Sequence, residues 1–181
     1  MPDSIRDGTG SAFLLKIDDR NRARVLADVN PEIRSVSEME QEAYVLTSNY
    51  TEAGTDKVIF FMQNDSSTLH VHVWDINVGS DVANCFDLQV VTSGTAAGTN
   101  IIATNLNRTS GNLADITAKG NAEVTGLTTT DILDIFVLAN QSKSFRLGSS
   151  LILGRGDGIS IKAANAGEIS VSALLYFTKL E

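Results

Sequence analysis

Leu151-Ile152-Leu153-Gly154-Arg155-Gly156-Asp157-Gly158-Ile159-Ser160-Ile161-Lys162-Ala163-Ala164 is the stretch whose reading decides the fold. Two short aliphatic runs flank five residues in which every second position is glycine, a composition that reverses a chain rather than continuing a helix. Arg155-Gly156-Asp157 therefore reads as the tip of a hairpin, and its match to the integrin tripeptide follows from what a reversing backbone selects. Glu168 to Thr178 supplies the next strand. Working toward the N-terminus, the same grammar recurs in Phe145–Leu147, Ile132–Leu138, Phe86–Thr92, Leu69–Val78, Val58–Gln63 and Ala43–Thr51, each bounded by clusters of Gly, Asn, Asp or Ser. Val58–Gln63 and Leu69–Val78, with the turn Asn64-Asp65-Ser66-Ser67 between them, read as a meander of two paired strands. Phe86–Thr92 leads to Gly94-Thr95-Ala96-Ala97-Gly98 and then to Thr99–Thr104. The chain is thus expected to be all-β: an antiparallel β-sandwich of about eight core strands with jelly-roll-like connections.

Composition agrees with sheets. The chain has 181 residues, 43% hydrophobic, with 14 Gly and 2 Pro, and no segment predicts a helix longer than about two turns. Its length suits one domain plus an arm. The first thirty residues differ from the rest: the loop Asp7-Gly8-Thr9-Gly10, a short apolar run Phe13–Ile17, a polar turn at Asp18–Asn21, and a second short run from Ala23 to Val29. Pro31 interrupts pairing, because proline lacks the amide donor. Residues 1–30 are accordingly expected to form an extended N-terminal arm or hairpin, and residues 31–181 the sandwich. Ser37 to Glu42 could cap one helical turn or lead straight into a strand. From Asn105 to Leu127 the chain is rich in Asn, Thr, Ser and Gly without periodicity, which marks a long insertion that is functional or ordered by a neighbour.

Charge limits the partners. The formal net charge of −8 opposes binding to nucleic acid, which needs clustered cations to displace counterions from phosphates. Arg20, Arg22 and Arg24 form a local basic group, flanked by Asp18, Asp19 and Asp28, and are suited to an acidic protein surface. No apolar run approaches the ~20 residues of a membrane-spanning helix, and residues 1–12 lack the charged start and apolar core of a secretory signal. The expectation is a soluble protein made in the cytoplasm, with no membrane partner.

The residue types that carry chemistry are sparse. His70, His72 and Trp74 alternate with Val71 and Val73, so the rings share one face of a strand while the valines enter the core. These are the only two histidines, short of the three or four ligands of a zinc site, and the tryptophan favours an interface instead. Cys85 is the single cysteine and reads as a buried inert thiol. Asp131 and Asp134 read as solubilising residues of a strand edge. Sequons begin at Asn49, Asn64, Asn107 and Asn140 and read as turn residues. No catalytic residue, metal or cofactor is expected, and the chain is not expected to be an enzyme.

Two regions carry a resemblance. Asp7-Gly8-Thr9-Gly10, then Lys16-Ile17-Asp18 and Asn21-Arg22-Ala23-Arg24-Val25, resemble the start of a diverse group of tailed-bacteriophage virion proteins in which an Asp-Gly-x-Gly segment, a short strand and an Asn-Arg-x-x-Val segment precede a β-sandwich. Val58–Asn64 with Leu69–Ile76 resemble paired strands of that sandwich, and Gly148–Leu153, Gly158–Lys162 and Ser170–Phe177 its closing strands. The resemblance implies a capsid decoration (cement) protein on the outer surface of the virion, bound to the major capsid protein and to itself as a homo-oligomer, with a trimer as the expected order. A low-copy neck, tail or head-fibre component is the alternative, and a carbohydrate-binding module the third reading. On the first reading, Phe13, Leu14 and Ile17 anchor the arm in a partner's groove, Arg20, Arg22 and Arg24 pair with its carboxylates, and His70, His72 and Trp74 form the oligomer interface.

Overall fold

The computed structural model describes residues 4–6, 12–14, 16–17, 23–24, 42–52 and 54–179, with backbone only before residue 42 and at 52, 149 and 150. The chain divides into Met1–Pro31 and Glu32–Glu181. In the first unit β1 (Ser4–Arg6) pairs antiparallel with β2 (Ala12–Leu14), and β3 (Lys16–Ile17) with β4 (Ala23–Arg24). Phe13, Leu14, Ile17 and Arg24 thus belong to strand segments. Arg20 and Arg22 lie outside the described residues, as does all of the Ser37–Glu42 segment except Glu42, which leads directly into the next strand.

The described residues of the second unit form ten strands: β5 (Ala43–Glu52), β6 (Lys57–Asn64), β7 (Leu69–Ser80), β8 (Asn84–Ala97), β9 (Thr104–Asn105), β10 (Ile116–Lys119), β11 (Thr125–Val137), β12 (Gln141–Leu153), β13 (Gly158–Ala163) and β14 (Gly167–Lys179). They form two five-stranded antiparallel sheets, β12-β7-β14-β5-β9 and β10-β6-β13-β8-β11, packed face to face. With the two short strands set aside, the eight long ones stand in the orders sixth-third-eighth-first and second-seventh-fourth-fifth. This is the double Greek key of a jelly roll.

The topology corrects two local expectations. β6 and β7 do not pair; each turn at this end carries the chain from one sheet to the other. The same holds for β12 and β13, so Arg155-Gly156-Asp157 is an inter-sheet corner rather than a hairpin tip. A short turn is equally good for either purpose, and only the long-range order distinguishes them. β8 extends past Thr92 through Gly94 to Ala97, against the start of β11. Gly94 has φ +106° and faces the Gly126 carbonyl so closely that no Cβ fits, so the two glycines let the strands approach.

The core fills the space between the sheets. On β7 Val71, Val73, Ile76 and Val78 are fully buried, and on β14 so are Ala173 and Leu175, with Ile169, Val171 and Phe177 nearly so. The other sheet meets them with Ile59, Phe60, Met62, Phe86, Leu88, Ile159 and Ile161. At one end Asn64, fully buried, ties three segments together. Its Nδ2 donates to the carbonyls of Leu69 and Leu153, both at 2.9 Å, and its Oδ1 accepts from Ser66 N at 2.9 Å. The Asp157 carboxylate turns back to accept from Gly154 N at 2.9 Å, which closes the corner beside it.

The insertion also departs from expectation: it is ordered by its own sandwich. β9 adds to the edge of β5 and β10 to the edge of β6. Beyond β10, Asn121 N donates to Ser48 Oγ (2.8 Å), Asn49 N donates to Asn121 Oδ1 (2.8 Å), and Val124 N donates to Val58 O (2.8 Å). Val124, Ala118 and Ile101 are buried.

Candidate functional site

Parity along the strands decides what the outward face of the β12-β7-β14-β5-β9 sheet displays. The backbone register aligns Ser142, Gly79, Ser170 and Asn49 in one row across four strands, and Ser144, Asn77, Ser172 and Thr47 in the next. Further along, Ile152, His72, Tyr176 and Ala43 form a third row, and His70 stands beside Thr178. One half of this face is therefore small and polar and the other aromatic.

The polar half is a shallow groove of about 590 Å³ whose lining includes Asn49, Ser142, Ser170, Asp81 and Glu168. Gly79 makes it concave, because a Cβ there would meet Ser170 Oγ at 2.7 Å. The Asp81 carboxylate accepts from Glu168 N at 2.7 Å and is held in place by its own strand ends.

The aromatic half is built around Tyr176. The His72 ring stacks on it at 4.8 Å with an interplanar angle of 9°, and Trp74 leans against it at 6.3 Å and 57°. His72 Nε2 shares a hydrogen bond of 2.9 Å with Thr178 Oγ1, which fixes the imidazole plane. The predicted alternation holds: Val71 and Val73 are buried in the core while His70, His72 and Trp74 face outward, each half-buried. Trp74 sits at a β-bulge, where the partners of its neighbours Val73 and Asp75 are the adjacent residues Leu175 and Leu174. The extra residue lets Trp74 stay on the outer face while Ile76 returns to the core. Tyr176 is fully buried although it lies on an outward face. Sequence reasoning did not single it out, yet its signal was present: Phe177 is a core residue, so its neighbour must point out.

The opposite outer face is polar and cross-linked. Ser160 Oγ donates to Gln89 Oε1 (3.0 Å), and Gln89 Nε2 donates to the Asp131 carboxylate (2.6 Å). Lys162 Nζ pairs with Asp87 at 2.7 Å, and hydrogen bonding to that carboxylate, with the nearby charges of Asp131 and Asp56, raises the lysine pKa against the opposing effect of burial. Cys85 lies in this row, 3.7 Å from Asp87. Burial, and then the Asp87 and Asp134 charges, push its thiol pKa up, the reverse of what activates a nucleophile. Cys85 and the two histidines stand on opposite outer surfaces of the sandwich, so no Cys-His pair forms. Among the described residues no group of three or more His, Cys, Asp and Glu is placed to hold a metal. Asn64, buried and hydrogen-bonded through both ends of its amide, is a corner residue, and Asn49 lies within β5 rather than in a turn.

Comparison of the chain with protein-family models, with curated proteins and with solved structures found no match.

Proposed function

We propose that this chain is a structural component of a tailed-bacteriophage particle, a capsid decoration protein that binds the major capsid protein on the outside of the shell and associates with itself. The observation that carries the reading is the outward cluster of His72, Trp74 and Tyr176 on one sheet of the jelly roll. His72 and Trp74, half-buried and already held against the buried Tyr176, lose little entropy when a partner covers them. The net charge of −8 suits a surface that does not hold packaged DNA. The sequence resemblance of Asp7–Val25 supplies the link to virion proteins. In this reading residues 1–30 engage the shell, with Phe13, Leu14 and Ile17 as anchors and Arg20, Arg22 and Arg24 as partners for carboxylates, while the His70, His72 and Trp74 face joins copies into a trimer. Many weak contacts repeated over a shell then stabilise it collectively.

Copy number in purified particles, measured by quantitative mass spectrometry against the major shell protein, tests the proposal. Abundance comparable with the shell protein supports decoration. About a dozen copies assigns the chain to the neck or tail, and absence overturns the virion reading. Deletion of residues 1–30 is expected to leave a folded sandwich that no longer binds shells; a truncated chain that does not fold places the arm in the core instead.

A further inference from the structure

The polar half of the outward face carries features that neither the core nor the aromatic cluster uses. Gly79 lies inside β7 at an unbroken point of the register, between Ser142 and Ser170, and its φ is not in the left-handed region. Its backbone therefore has no need of glycine, and a strand loses packing where the side chain is missing. What glycine supplies here is room: a Cβ would meet Ser170 Oγ at 2.7 Å and Ser142 Cβ at 3.3 Å, so a larger residue displaces the Ser170 hydroxyl and fills the groove. Glycine inside a strand often marks the close approach of a ligand. Around this opening the side chains of Asn49, Ser142 and Ser170 make no hydrogen bond among the described residues, although each can both donate and accept. Asp81 is positioned by a second glycine. A Cβ at Gly167 would meet Asp81 Oδ1 at 2.5 Å; that oxygen accepts from Glu168 N at 2.7 Å, and Oδ2 is left to accept from outside the chain.

We propose that this groove binds a neutral saccharide. The lining offers hydroxyls, amides and two carboxylates and holds no Lys, Arg or His. A sugar's neighbouring hydroxyls donate and accept in turn, which hydroxyl and amide side chains match from either side, and a fixed carboxylate oxygen accepts from them strongly. The absence of cations, with Asp81 and Glu168 both present, disfavours phosphates, sulfates and uronates. An extended peptide is disfavoured for a different reason: β7 and β14 are each paired on both sides, so the face of the sheet has no backbone groups left for strand addition. The volume of about 590 Å³ is that of a small-molecule site. The groove is also open along the sheet, and the next row, Ser144, Asn77, Ser172 and Thr47, continues the polar surface for a longer chain. Gly79 and Trp74 are five residues apart on β7, roughly 16 Å at 3.3 Å per residue, so copies joined through Trp74 leave the groove open.

Amide chemical shifts of the full isotope-labelled chain, followed during titration, test the proposal. The probes are neutral oligosaccharides of glucose, galactose, mannose and N-acetylglucosamine, with an oligogalacturonate of matched length as the charged counterpart. At least one neutral series is expected to shift the amides of Gly79, Asp81, Ser142 and Ser170 to saturation, and the oligogalacturonate to leave them in place. Ser142→Tyr, at an exposed position of an edge strand, fills the groove and is expected to abolish those shifts in a folded protein. Asp81→Asn keeps an acceptor for Glu168 N and removes the charge, and is expected to weaken binding about five- to ten-fold. Four results overturn the proposal: no neutral series that moves these amides, shifts confined to Trp74 and its neighbours, oligogalacturonate binding as well as the neutral chains, or unaltered affinity in folded Ser142→Tyr. The inference does not use the virion reading, so particle copy number and saccharide titration can fail separately.

Discussion

Replacing Asn64 by alanine should cost far more than its place in a turn-like sequence suggests. The residue is fully buried, and its amide donates to two carbonyls from different strands and accepts from Ser66 N. Three hydrogen bonds at about 1 kcal/mol each set a floor near 3 kcal/mol, and the buried carbonyls left without a donor raise the expectation to about 3–5 kcal/mol. For a chain of this length about 2–4 °C accompanies each kcal/mol, so the thermal midpoint should fall by about 10 °C. Urea unfolding should show a lower midpoint at an unchanged slope, because the surface exposed on unfolding hardly changes. Asn64→Asp separates packing from hydrogen bonding: it keeps the volume but as a carboxylate can donate to neither carbonyl, and it should be at least as destabilising at neutral pH. A loss below about 1 kcal/mol in both variants would mean that the corner relaxes or admits water and is not what holds β6, β7 and β12 together.

Three further outcomes are expected. Burial first, and then the Glu42 charge and hydrogen bond, push the Tyr44 hydroxyl from 10.0 to about 12. The unfolded chain therefore ionises first as pH rises, so stability is intact below pH 10.0 and falls between there and about 12 by roughly 2–3 kcal/mol. Lys162, whose raised pKa has the opposite charge type, contributes in the same direction: its ion pair with Asp87 is fully present below 10.5 and lost above its folded value. Tyr44→Phe should flatten the alkaline limb of a urea-stability profile, and a profile identical to wild type would contradict the assignment. Cys85 should react with an alkylating reagent at pH 8 more slowly than a free thiol, and Asp87→Asn should accelerate it; equal rates would remove the carboxylate's role. Trp74→Ala should leave the circular dichroism of the fold unchanged and reduce the mass of the oligomer in light scattering, and an unaltered mass would remove that face from the assembly.

Strand identity was legible because β-branched and aromatic runs alternate so regularly here, and the core parity of β7 followed directly from Val71 and Val73 against His70, His72 and Trp74. Pairing was less legible. The turns Asn64–Ser67 and Gly154–Gly158 have hairpin chemistry, but each connects opposite sheets, since local composition encodes a reversal and not its destination. The insertion hid its strands for a related reason: β9 and β10 hold only two and four residues, too few for periodicity to register. Tyr176 escaped notice because burial on an outward face depends on Trp74 and His72, more than a hundred residues earlier in the chain.

The two lateral sides of the sandwich are managed differently, and this bears on how copies meet. On one side the chain covers itself: β9 and the Asn121 turn take up hydrogen-bonding positions along β5, and β10 with Val124 does so along β6. On the other side β11 and β12 have neighbours only toward the interior of their sheets. Bulges on both strands make continuous backbone pairing with another chain unfavourable, so contact there must run through side chains.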